Sequence, residues 1–185
     1  MGKNRILLIT HTAIFIALLV SAQAVTRPLG QFVTGSCVNF ILVASCILAG
    51  LPSAAIVSII SPMFAFLIIG VPVFPILVPF IMAGNFILVS AIHIIAGKSF
   101  AKQNRQAFVR ICIAALIGSL LKFFVLWVGI VQIALTLIPG IRQPQIDAMS
   151  AAFSWPQLVT ALIGSSLAIL IMPKLKKALN LSEHS

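Results

Sequence analysis

Residues 6–25 read ILLITHTAIFIALLVSAQAV, twenty positions with no charge. At 1.5 Å rise per residue that length matches the ~30 Å hydrocarbon core of a bilayer, so the stretch predicts a membrane-spanning helix. Ala13, Ala17 and Ser21 recur at i, i+4 and i+8 on one face, while Ile14, Phe15, Ile16, Leu18 and Leu19 cover the others. In lipid, where little hydrophobic force acts between helices, a strip of small residues lets a second backbone approach closely. Such strips also serve packing inside a bundle, so the motif by itself leaves both uses open.

The same pattern repeats along the chain. Its 185 residues are 61% hydrophobic and 8% charged, with a mean hydropathy of +1.21. That is the composition of an all-α integral membrane protein forming a single domain over 1–185. Six spans are expected, at 6–25, 33–49, 53–70, 75–96, 108–136 and 155–173, joined by short loops. The formal charge of +10 is a topology signal rather than a nucleic-acid footprint. Nine basic residues (Lys3, Arg5, Lys98, Lys102, Arg105, Arg110, Lys174, Lys176, Lys177) gather at alternate ends, against Arg27 and Arg142 at the others. By the positive-inside rule both termini are predicted cytoplasmic, in a multi-pass protein of a bacterial-type plasma membrane. The basic start, apolar run and Ala22-Gln23-Ala24 also look like a signal peptide, but the segment is expected to stay as the first helix.

Pro and Gly punctuate the rest. Thr26-Arg27-Pro28-Leu29-Gly30-Gln31 forms the first outer loop, and Gly50-Leu51-Pro52 turns the chain back within two or three residues. Pro62 predicts a kink in the third helix. The linker Gly70-Val71-Pro72-Val73-Phe74-Pro75 is apolar and stiff, more like a plug than a solvated loop. The segment 137–154 is the longest outer loop, and Trp155 behind it suits an interfacial anchor. Gly164, Ser165, Ser166 and Ala168 offer a second close-packing strip on the last helix.

Most kinds of chemistry are excluded by what is scarce. Asp147 and Glu183 are the only acids and both lie outside the spans, while the three histidines, at 11, 93 and 184, are scattered. An enzyme or a proton relay would need such groups inside the bundle, so no catalytic residue is assigned. Cys37, Cys46 and Cys112 lack metal-ligand spacing and read as small apolar side chains, so no metal site is assigned. Gly97-Lys98-Ser99 resembles the end of a nucleotide-binding loop, but Ile92 stands where its first glycine belongs. Nucleotide binding by this chain is rejected.

One residue stands out. Lys122 lies mid-helix in ALIGSLLKFFVLWVGIV, where a charge costs about 2.5–3.5 kcal/mol on insertion scales. Either it snorkels or bonds carbonyls freed by Pro62, or it serves a site. Gln31, Asn39, Asn85 and Gln157, with Gln132 as a further candidate, fall at comparable depth in the outer half. With Lys122, Arg27 and Arg142 as the only charges nearby, a pocket built from them favours a neutral or anionic ligand. Phe80 and Trp127 are expected to pack on its apolar part.

In size, six helices, cytoplasmic ends and the first-helix Ala13-Ile14-Phe15-Ile16-Ala17, which matches an AxxxA docking motif, the chain resembles the substrate-binding S component of energy-coupling factor (ECF) transporters, which capture vitamins. The resemblance implies that Ala13, Ala17 and Ser21 dock on a transmembrane T component driven by two separate ATPases, so that ATP is used by partner subunits and this chain carries no cofactor. It further implies a small water-soluble vitamin bound near the outer face under the loops 26–32, 70–75 and 137–154, and release by toppling of the loaded protein. Lys122 makes an anionic vitamin the expectation, pantothenate first. An oligomeric pore or secondary carrier, and a membrane scaffold subunit, are the rival readings.

Overall fold

The computed structural model describes residues 3–101 and 104–182; Lys102, Glu183 and His184 lie outside them. Among the described residues there is no strand. Six α-helices follow in order: α1 (Lys3–Thr26), α2 (Gln31–Ile69), α3 (Val78–Ala96), α4 (Arg105–Leu126), α5 (Gln143–Ala152) and α6 (Trp155–Ser182). Five helical stretches are long and apolar enough to cross a membrane: Arg5–Leu29, Gln31–Ile69, Pro75–Phe100, Arg105–Leu137 and Gln143–Met172.

The second of these is the exception to one helix per crossing. Its 39 residues would run to nearly 60 Å if straight, about twice a hydrocarbon core. Gly50 breaks it, with φ 80° and ψ 174°, a conformation only glycine adopts without strain. Pro52 follows at once, where its fixed φ suits a first helical turn. The limbs 31–49 and 51–69 fold back along α1. Thr12 Oγ1 donates to Ser53 Oγ at 3.0 Å near one end, and Arg27 Nη1 donates to the Ile69 carbonyl at 2.9 Å at the other. Gly70, left-handed at φ 71°, caps the second limb by donating its N–H to the carbonyls of Ala65 and Phe66.

At Pro62 the backbone keeps helical φ/ψ, and within α2 only Gly50 leaves helical geometry. The neighbouring hydroxyls are used locally, Ser58 Oγ on the Ala55 carbonyl at 2.8 Å and Ser61 Oγ on that of Val57 at 2.5 Å. The fifth expected span, 108–136, is not one α-helix either. Regular α geometry ends at Leu126, and the backbone widens to a π-helix over Trp127–Ile133 and tightens to a 3-10 turn over Ala134–Leu137. The loop 137–154 contains α5, capped by Gln145 Oε1, which accepts the Arg142 N–H at 3.1 Å. Ile146, Met149 and Phe153, at i, i+3 and i+7, put an apolar stripe on the bundle.

α2 packs on α1, α3 and α6, while α4 packs on α3 and α6. Leu19, Leu42, Val43, Val57, Leu88, Val89 and Ile92 are buried in the main core. A smaller cluster of Leu77, Leu126, Ile130, Ala134 and Leu135 lies under α5 at the end that carries the loops 26–32 and 70–75. The bundle's outside is apolar: Leu67, Ile68, Ile94 and Phe124 are all exposed, as a lipid-facing surface requires.

Two glycines set the helix spacing. A Cβ on Gly164 of α6 would fall 2.5 Å from the Ser36 carbonyl oxygen and 2.6 Å from the Phe40 nitrogen, both backbone atoms of α2. On α4, a Cβ at Gly118 would meet the Leu88 carbonyl of α3 at 3.3 Å. Gly164→Ala should therefore force α6 off α2 and cost about 1–3 kcal/mol. The expected result in detergent is a thermal midpoint lowered by several degrees, whereas Leu170→Ala, on the exposed face of the same helix, leaves it within a degree or so.

Candidate functional site

Lys122 is 3% exposed, Asn39 1% and Asn85 2%, so their polar groups must find partners in the protein or in a ligand. They find each other. Lys122 Nζ donates to Asn39 Oδ1 at 2.6 Å and to Asn85 Oδ1 at 2.7 Å. The glycine contacts bring them into reach. Gly118 lies one turn before Lys122 and sits against Leu88, one turn past Asn85, while Gly164 sits against the backbone flanking Asn39. Asn39 Nδ2 in turn donates to the Gly35 carbonyl at 2.8 Å, which fixes its oxygen towards the lysine. The two alternatives for Lys122 read from sequence, snorkelling outward or bonding carbonyls freed by Pro62, are replaced by this arrangement.

An ammonium has three protons, and two are used. Lys122, Asn39 and Asn85 also line a cavity of about 200 Å³, at its inner end. Its apolar walls are Val38 and Ala65 from α2, Ile81 from α3, Leu126 from α4 and Phe153 after α5. Polar groups ring the upper part: Gln23 from α1, Arg27, Gln31 and Thr34, and Gln157 from α6, whose Nε2 donates to the Ala152 carbonyl at 3.1 Å. Each of the three loops that the resemblance implies over a site contributes, through Gly30 and Gln31, Val71 and Pro72, and Phe153. No acidic side chain is in the lining, so the cavity is electrostatically positive.

Five of the seven expected ligand contacts, Gln31, Asn39, Asn85, Lys122 and Gln157, meet in this cavity. Phe80 and Trp127 are not in its lining. The Phe80 ring packs against Gly129 beside the smaller core cluster, and Trp127 opens the π-helical segment, half-buried. Their place is taken by Ile81, Leu126 and Phe153. Gln132 and Arg142 are exposed outside the lining. Trp155 is 62% exposed and lies against Phe32, ring centroids 5.6 Å apart, as befits an interfacial side chain. Gln23 is the residue that sequence reasoning passed over. The signal was there, since a lone amide two residues beyond Ser21 points about 200° away from the small-residue strip. Ala13, Ala17 and Ser21 are all exposed.

A mostly apolar cavity with a few placed polar groups is the form of a small-solute site. His11 and His93 are exposed and far along the helices from it. Comparison with protein-family models, with curated proteins and with solved structures finds no match to this chain.

If the amide oxygens hold the ammonium, removing one of them should cost more than removing the charge. Asn85→Leu is expected to lower stability by about 1.5–3 kcal/mol, the worth of a hydrogen bond to a charged group. Lys122→Met should cost less, because the released amides can turn to water in the cavity. The double substitution should recover much of the Asn85→Leu loss, a coupling that thermal denaturation of the four proteins measures directly.

Proposed function

We propose that this chain is the substrate-capture subunit of an ECF-type importer in the plasma membrane, binding a small water-soluble anionic vitamin, pantothenate being the first candidate. It crosses the bilayer six times, with α2 contributing two crossings through its limbs, and both termini are cytoplasmic. The observation that carries the reading is the Lys122–Asn39–Asn85 cluster, set at the inner end of a cavity to which loops 26–32, 70–75 and 137–154 all contribute. A half-satisfied ammonium in an apolar setting is a ready receptor for a carboxylate, and the flanking amides orient it.

Beyond that cluster the bundle is mostly apolar, with the hydroxyls of Ser45 and Ser119 buried in it. Successive turns of α2 and α3 past Asn39 and Asn85 bring Leu42, Val43, Leu88 and Ile92, all fully buried. A solute held here cannot pass straight through the bundle, which favours capture followed by movement of the whole subunit over a pore. The exposed strip of Ala13, Ala17 and Ser21 on α1 supplies a face for the T component, whose two ATPase partners consume the ATP.

Binding should therefore need no ATP. Titration of the purified chain in detergent against a panel of water-soluble vitamins, read by calorimetry and by the fluorescence of Trp155, is expected to show one saturable anionic ligand. Lys122→Met should weaken it by about 10- to 150-fold, the equivalent of one charge-assisted hydrogen bond. Unchanged affinity in that variant, or absence of binding across the panel, would sink the proposal. Ala13→Leu with Ala17→Leu should leave binding intact and abolish co-purification with an energising complex. Loss of binding instead would place that strip in the subunit's own fold.

A further inference from the structure

The cavity has a second cationic group, which takes no part in its inner cluster. Arg27, just past the end of α1, lines it together with Lys122, and no acidic side chain shares the lining. Arg27 Nη1 donates to the Ile69 carbonyl at 2.9 Å. Ile69 stands four residues after Ala65 and two before Val71, both of the lining, so this bond holds the guanidinium at the cavity's rim. It takes one of the guanidinium's five N–H donors. The residue is exposed, and its charge therefore stands at the mouth. Arg142 and Asp147, on the segment that covers this end, are exposed, lie outside the lining and have opposite signs.

Depth separates the two cations. Gln31, the first residue of α2, and Asn39, which holds Lys122, both line the cavity; eight residues at helical rise place them ~12 Å apart. The Debye length at physiological ionic strength is about 8 Å, so a solute outside the mouth is largely screened from Lys122 but not from Arg27. Once inside, between the apolar walls of Val38, Ile81 and Leu126, it meets the ammonium at a lower dielectric, where attraction is stronger. We infer that Arg27 is the entry-selecting residue of this cavity, a first anion station at the mouth that recruits carboxylate-bearing solutes and repels cations. A cleft lined by charges of one sign focuses its field in this way, and such steering acts on the rate of arrival. The inference rests on the reading of the cavity as a solute site, and it divides the work there: Arg27 sets entry, and Lys122 sets residence.

A thiol placed in the passage measures this without a known ligand. Ile81 is half-buried in the wall, one turn before Asn85 on α3. Ile81→Cys is made in a chain that also carries Cys37→Ala, Cys46→Ala and Cys112→Ala, which removes the free native thiols. The full chain in detergent is treated with two methanethiosulfonates of similar size, one ending in a sulfonate and the other in a trimethylammonium. Each rate is divided by the rate with free 2-mercaptoethanol, so any change in the thiol's own acidity cancels in their ratio. The normalised anion-to-cation ratio is expected to reach about tenfold or more. Arg27→Gln should lower it by about tenfold, and Arg27→Lys should keep most of it. Raising the salt to about 1 M, where the Debye length is about 3 Å, should bring the ratio of the Arg27 chain down towards that of Arg27→Gln. Val38→Cys, in the α2 wall, repeats the measurement from a second helix and replaces the first if Ile81→Cys does not fold. A ratio near one, or a ratio that Arg27→Gln leaves unchanged, overturns the inference and leaves a solute site in place. No reaction of either reagent at either position means that the mouth admits no such solute, which overturns the inference together with the reading beneath it.

Discussion

A lysine ammonium buried among apolar helices without a carboxylate has few ways to exist, and the bundle is arranged around the one it uses. Lys122 from α4 meets amide oxygens from α2 and α3 at 2.6 and 2.7 Å. A hydrogen bond to a charged group is worth about 1.5–3 kcal/mol, roughly twice a neutral one. The requirement propagates into the packing, because both amides must arrive at one nitrogen. Gly118 lets α4 close on Leu88 of α3, and Gly164 lets α6 close on the backbone of α2 around Asn39. Those glycines carry no chemistry themselves; their missing side chains hold the helix axes at the separation the cluster needs.

The same cluster divides the bundle into two unequal parts. On one side the helices close into the main core, with Leu42, Leu88 and Ile92 fully buried. On the other lies the cavity, lined in part by loop residues and by Phe153 just past α5. The π-helical stretch Trp127–Ile133 belongs to this second part. Its wider turn follows directly after Leu126, a residue of the cavity wall, and leads into the cluster on which Ile146, Met149 and Phe153 rest. An α-helix continued through Ile133 would have a different phase at Ile130 and Ala134, which α5 packs over. Departures from regular helix are common at functional sites, and here the departure separates the wall of the cavity from the support of its cover.

Much of this was legible in the sequence because depth along a membrane helix is set by residue count. Asn39 and Asn85 lie in the outer halves of their expected spans and Lys122 at the middle of its own, and a buried charge demands polar company, so their grouping was within reach of counting. Direction around a helix was harder to read. Phe80 and Trp127 lie at nearly the right depth but turn away, since which face of α3 and α4 meets the cavity depends on the order of helices in space. Local sequence was misleading in two further places. Ala22-Gln23-Ala24 reads as a cleavage pattern, which hid an inward amide. QPQIDAMSAA reads as loop because, with Phe153 behind it, its apolar stripe is only three residues long, and what it packs over, the cluster of Ile130 and Leu135, is not evident from local sequence.

α1 joins the two surfaces that matter most. One side of it, through Ala13, Ala17 and Ser21, is exposed and flat, while Gln23, two residues further, lines the cavity. Two hydrogen bonds tie it to the second limb of α2: Thr12, midway along α1, to Ser53, and Arg27, just past its C-terminus, to the Ile69 carbonyl. The second of these is exposed, and Arg27 also lines the cavity. Within the proposed function, occupancy of the cavity and the pose of the outward face share one element, and a coupling free energy between two such sites would act equally in both directions. Within the proposed function, a partner that prefers the loaded pose of α1 must, by the same amount, tighten the hold on the solute, so release requires that the partner's own work change that preference.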